Sequence, residues 1–163
     1  MHKYQYILKM QNISKLSSAQ RRFIDELAVL LTAWSMPGNA ARLYGYLQMM
    51  NEPASLDDIA RDLEISKSNA CAAAKLLEGH GNARRRSQRG TKRALYVASD
   101  DPGAPLRNQA EALGRMAELI TARKGEVSTG VAKVRMAKLA NFHKALQAAM
   151  EGVIQPDKQI RAA

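Results

Sequence analysis

Apolar residues along this chain recur first with the period of a helix, then with that of a strand, then as a helix again. Ser17 or Ser18 is placed to cap a helix running to about Ser35, with Phe23, Leu27, Leu30, Leu31 and Trp34 on one stripe. Pro37-Gly38 ends it. A second helix follows from about Asn39 to Asn51, with Ala40, Leu43, Tyr44, Leu47 and Met50 as its apolar positions. After the turn at Asn51-Glu52-Pro53, residues Ser55 to Gly79 read as two short helices. Ser55 caps the first, with Asp58 three residues on, a capping box with Asp in place of Glu. Ile59, Ala60 and Leu63 recur at helical spacing, and Glu64-Ile65 makes the turn. Ser66 caps the second helix, which puts Ala70, Ala73, Ala74 and Leu77 on one face and Lys67, Ser68, Cys71, Ala72 and Lys75 on the other. Residues 82–88 and 93–99 then read as the strands of a hairpin around Arg89-Gly90-Thr91-Lys92.

Asp100-Asp101-Pro102-Gly103 marks a boundary, and the helical period returns from Pro105. Leu106, Ala110, Leu113, Ala117 and Ile120 form a seam, and Lys124-Gly125 interrupts it. A last helix from about Glu126 to Gly152 carries Met136, Leu139, Phe142, Leu146, Met150 and Val153. The order helix, turn, helix, basic hairpin predicts a mainly α fold of the α+β kind, a winged helix-turn-helix. It predicts residues 1–16 as a basic N-terminal arm with a weak strand alternation at Tyr4, Tyr6 and Leu8, and 17–36 as the N-terminal helix of a dimerisation region. Residues 37–99 form the winged domain, 104–154 the C-terminal dimerisation helices and 155–163 a tail. Two long amphipathic helices beside so small a domain have too little core of their own, so they are expected to pack against the first helix and against a second subunit.

Composition sharpens this picture. The 163 residues suit one small domain with helical extensions. Hydrophobic residues make up 46% and aromatics only 5%, so the core is aliphatic and Met-based. With 25 basic against 15 acidic residues the formal charge is +10, which favours a polyanionic partner, double-stranded DNA first. One cysteine excludes an intrachain disulfide and a zinc cluster, and His2, His80 and His143 have no metal-ligand spacing. The chain start has no apolar signal core and no run is long enough for a membrane span, so a cytoplasmic protein is expected. There is no Gly-rich phosphate loop and no nucleophile with a plausible base, so neither enzyme activity nor a cofactor is expected.

The candidate chemistry lies on the second short helix and the hairpin. Lys67, Ser68, Asn69, Cys71, Ala72 and Lys75 are the base-reading candidates: Asn pairs with adenine, Lys with guanine, and Ala touches a thymine methyl. Ser66, Arg84, Arg86, Arg89, Lys92 and Arg93 are the phosphate and wing candidates, in a stretch from 80 to 99 with no acidic residue. Successive arginines at 84, 85 and 86 alternate between faces of a strand, so not all three meet DNA. Cys71, among cations on the groove-facing side, is a redox candidate whose oxidation would release DNA.

The runs MPGNAARLYGYLQMM, EPASLDDIARDLEISKSNACAAAKLLEGHG and RRRSQRGTKRALY resemble the GbsR/MarR-like transcriptional regulators. The match is carried by Gly45-Tyr46-Leu47, Ser55 to Ala60, Ser66-Lys67-Ser68 and Leu76-Leu77-Glu78. Glu64 stands where the family's turn usually has Gly, and Ala70 and Ala73 where branched residues are usual. The resemblance implies a homodimeric, sequence-specific DNA-binding regulator, a repressor relieved by a small molecule, with its terminal helices at the dimer interface. It also implies choline or a related quaternary ammonium compound as effector. Phe23, Trp34, Tyr44 and Tyr46 are the ligand-pocket candidates, since aromatic faces attract such cations. A non-specific architectural nucleic-acid-binding protein, a redox-responsive regulator sensing through Cys71, and a protein-interaction module are the competing expectations.

Overall fold

The computed structural model describes residues 15–87, 90 and 93–154. Most of the N-terminal arm, the tail from 155, and Arg89 and Lys92 of the wing lie outside the described residues. The elements are α1 (Ser18–Ala33), α2 (Gly38–Met49), β1 (Ala54–Ser55), α3 (Leu56–Leu63), α4 (Lys67–Gly79), β2 (Ala83–Ser87), β3 (Ala94–Ala98), α5 (Ala104–Val127) and α6 (Gly130–Ile154). The chain divides into two units at Asp100–Asp101.

The first unit is a winged helix-turn-helix. Ser17 caps α1 through a capping box with Gln20. The predicted α1 stripe splits in two: Leu27 and Leu31 are half-buried, beside Ile24 and Ala28, which are buried and lie outside that stripe, while Phe23, Leu30 and Trp34 are exposed. At 3.6 residues per turn these apolar positions span roughly 160°, wider than one packing face, so only the inner edge meets the core. That edge rests on α2 at Gly45, where a Cβ would lie 3.4 Å from Leu27 Cδ2 and 3.5 Å from the Ile24 Cα. The core gathers Ile24, Leu43, Tyr46, Leu47, Ile59, Leu63, Ala70, Ala74, Leu77 and Tyr96. The sheet is antiparallel in the order β1-β3-β2. β1 is an addition to the predicted hairpin: Ala54 and Ser55 pair with Tyr96 and Leu95 just before α3 begins.

The second unit is an antiparallel pair, α5 and α6. The predicted break at Lys124-Gly125 falls instead at Ser128-Thr129. A glycine inside a helix costs only about 1 kcal/mol, and α5 runs through it. Ser128 then turns extended, its hydroxyl donating to the Lys124 carbonyl at 2.7 Å, and Gly130 opens α6 at φ +55°. The expected α5 positions are covered, Ala110 and Ala117 buried and Leu106, Leu113 and Ile120 half-buried, whereas only Met136, Leu146 and Met150 of the expected α6 positions are. Small residues Ala110, Gly114 and Ala117 of α5 are buried, with Ala140 and His143 of α6, while Leu139, Phe142 and Val153 are exposed. Small side chains let the helices approach closely; the space a Cβ on Gly114 would fill is taken by the Gln147 amide. Among the described residues no helix is long and apolar enough to cross a membrane.

Candidate nucleic-acid interface

The interface is built outward from the start of α3. Ser55 Oγ accepts from the Asp58 N–H at 3.1 Å and the Ser55 N–H donates to Asp58 Oδ2 at 3.4 Å, closing the predicted box, and the Ser55 hydroxyl also donates to Oδ2 at 2.6 Å. Arg61 Nη1 reaches Asp58 Oδ1 at 2.8 Å. The Ser55 hydrogen bonds, reinforced by Arg61, hold the Asp58 carboxyl below the usual carboxylate range against a smaller opposing effect of burial.

The far end of α3 is tied down from several directions. Asp62 is buried, and its carboxylate accepts from the Tyr46 hydroxyl at 3.0 Å, the Lys15 N–H at 3.1 Å and Arg61 Nε at 2.9 Å. Arg42 Nη1 donates to the Leu63 carbonyl at 2.9 Å, satisfying an orphan acceptor at the helix end. Burial and the neighbouring Asp62 push the Tyr46 hydroxyl well above its ordinary value near 10. A raised folded-state pKa contributes stability below the unfolded value and loses it as pH climbs past that value. Tyr46→Phe is therefore expected to cost about 1.5–3 kcal/mol at neutral pH. Chemical denaturation of both proteins across a pH series should show that penalty shrinking above about pH 10; a pH-independent penalty would refute the linkage.

Glu64 makes the turn in the left-handed region, φ 56° and ψ 42°. Its carboxylate meets Arg21 Nη1 of α1 at 2.6 Å. Exposed pairs of this kind are worth about 0–1 kcal/mol, and left-handed backbone costs a residue with a Cβ about 1–2 kcal/mol. Glu64→Gly is expected to melt above Glu64→Ala, by about 1 kcal/mol in stability, because both lose the ion pair and only Gly loses the strain. Equal melting temperatures would remove the strain reading.

Ser66 caps α4, its Oγ accepting from the Asn69 N–H at 3.1 Å. Ala70, Ala73, Ala74 and Leu77 are buried, the face the sequence assigned to the core. Ser66, Lys67, Ser68, Asn69, Ala72 and Lys75 are exposed, and Cys71 is half-buried between the two faces. In the hairpin, Arg85 lies opposite Tyr96 and shares the core-side face with buried Ala83, at its outer end. Arg84 and Arg86 share the other face with Val97 and Leu95, and all three arginines are exposed. Arg84 Nη2 meets Asp100 Oδ2 at 2.6 Å. Gly90 takes φ +84° at the tip, as a tight hairpin requires.

One contributor is absent from the sequence-based set. Asp57, in the first turn of α3, meets Lys67 Nζ at 2.8 Å and Arg93 Nη2 at 3.8 Å. By sequence an acid there reads as a helix-dipole partner; only the fold brings both cations to it.

The aromatic candidates are dispersed. Tyr46 is buried with its hydroxyl on Asp62, Tyr44 is half-buried, and Phe23 and Trp34 stand on the outer stripe of α1, Trp34 with 85% of its surface exposed. Among the described residues no group of His, Cys, Asp or Glu is arranged to hold a metal ion.

A core shared by the helices and the small sheet, a capped second helix with a bare polar face, and a basic hairpin beside it define the winged helix-turn-helix class. One solved structure, described as a transcriptional regulator, superposes with a TM-score of 0.78 at 17% identity, covering 86% of this chain and 99% of its own. At that identity the likeness is one of fold. A mutant of MepR from a multidrug-resistant S. aureus clinical isolate aligns over 88% of this chain and 97% of its own at 16% identity, with a TM-score of 0.40, too loose to define a shared arrangement. No protein-family model matches the chain, and no curated protein matches its sequence.

Proposed function

We propose that this chain is a homodimeric, sequence-specific DNA-binding transcriptional regulator of the GbsR/MarR-like kind, acting as a repressor that a small molecule relieves. The observation that carries the reading is the exposed face of α4 standing beside the basic hairpin. Ser66, Lys67, Ser68, Asn69, Ala72 and Lys75 are bare while the opposite face of the same helix is buried. A helix with one face locked into a core and the other small, polar and cationic fits a major groove. Arg84, Arg86 and Arg93 then reach the flanking phosphates, and the +10 charge supplies the sequence-independent attraction. Fluorescence anisotropy near physiological salt tests this, comparing the duplex upstream of the protein's own gene with a scrambled duplex. A preference of about 10³-fold supports the regulator. Equal binding to both supports the architectural reading, which the strong positive charge favours.

Two signals compete for control. A quaternary ammonium effector would find Phe23 and Trp34 exposed on α1, so an aromatic cage using them needs a wall from another chain or segment. Oxidation of half-buried Cys71 would press bulk between α4 and the groove. Cys71→Ser is expected to retain DNA binding and to abolish any release by peroxide; release that survives the substitution removes Cys71 as the sensor.

A further inference from the structure

We infer that Asp57 is a built-in restraint on DNA binding, an internal competitor that occupies two cations the phosphate backbone would otherwise take. This rests on the DNA-binding reading above. Its two oxygens divide the work: Oδ1 holds Lys67 Nζ at 2.8 Å and Oδ2 faces Arg93 Nη2 at 3.8 Å. Lys67 is the first residue of α4 and Arg93 directly precedes β3. The carboxylate therefore joins the candidate recognition helix to the turn end of the wing. All three side chains are more than half exposed, so they stand where an approaching duplex would meet them.

Capping α3 does not account for Asp57. The neighbouring Asp58 closes the box with Ser55 and takes Arg61 as its partner, leaving Asp57 turned to the other side. Binding DNA then requires Lys67 and Arg93 to exchange a carboxylate for phosphates, or to remain paired and contribute less. Either way the sequence-independent part of the affinity falls. For a chain of charge +10 that part is large, and it is indifferent to base sequence. A carboxylate at this point aims Lys67 while damping its attraction to any phosphate within reach.

The test is anisotropy with a short duplex of random sequence over a salt series, comparing the full chain with Asp57→Asn. The variant is expected to bind about 3- to 10-fold more tightly, with a log-log salt slope more negative by about 1. In the double variant with Lys67→Gln, most of the gain is expected to vanish, because the freed lysine is its source. Unchanged or weaker binding by Asp57→Asn, with the unsubstituted protein binding normally, overturns the inference and leaves the DNA-binding reading intact. If the unsubstituted protein binds neither this duplex nor the one upstream of its gene, the DNA-binding reading fails and the inference falls with it. Thermal melting checks that the variant is folded, and Asp57→Ser repeats the measurement if Asn proves too destabilising.

Discussion

Phe142→Glu is expected to leave the protein monomeric at micromolar concentration with its helices intact. On α6, Val131, Phe142 and Val153 are exposed and stand eleven residues apart, with Val134 and Leu139 beside them. Eleven residues make just over three whole turns, so the three form a nearly straight apolar line. On α5, Met116 and Val127 repeat the same spacing and are also exposed. In the proposed dimer these lines on water-facing helices are the surface the second subunit would cover. In a two-fold dimer each substitution enters the interface twice. Losing a buried Phe costs about 1.5–3 kcal/mol per copy, and a carboxylate without a partner adds several more. The dissociation constant should rise by about 10³-fold or more. Because Phe142 is exposed in the single chain, folding should be untouched; circular dichroism checks that, and sedimentation velocity reads the mass. A Phe142→Glu protein that still sediments as a dimer would move the interface elsewhere. The same monomer should bind a two-site operator far more weakly, since the second recognition helix no longer arrives with the first.

Local signals in the sequence located most of the first unit. The caps at Ser55 and Ser66 work within four residues of themselves, so the pattern reveals them. The buried face of α4 was legible because its four positions follow the helical period without exception. What depends on distant partners was not legible. β1 is two residues long and exists only because Tyr96 and Leu95 lie beside it. Asp62 reads as one more polar position on an amphipathic helix, yet it anchors α3 to Tyr46 and to the backbone of Lys15. The stripes of α1 and α6 could be counted but not divided between inside and outside, since an apolar residue that awaits a partner chain looks like one that awaits the core. The same holds for the candidate site: exposure at Lys67, Ser68, Asn69, Ala72 and Lys75 follows from period alone, whereas the hold of Asp57 on Lys67 needs the turn between α3 and α4 to be folded.

Ala72→Glu separates the interface from the fold most sharply. Ala72 is exposed in the middle of the bare face of α4, while Ala73 next to it is 4% exposed and packed in the core. Glutamate is a good helix former, so the melting temperature should hardly change. In a groove, however, its carboxylate faces phosphates on both sides without a cation made for it, and like charges brought together at an interface cost several kcal/mol. Affinity for the preferred duplex should drop about 10²-fold or more. Ala72→Gln provides the neutral control with the same shape. If both variants bind poorly, close fit in the groove is the cause; if only Glu does, it is charge. If neither changes affinity, α4 does not enter the groove, and the recognition surface must be sought on the wing arginines. Ala73→Glu, one position on, should instead fail to fold, because it buries an unpaired charge beneath the same helix.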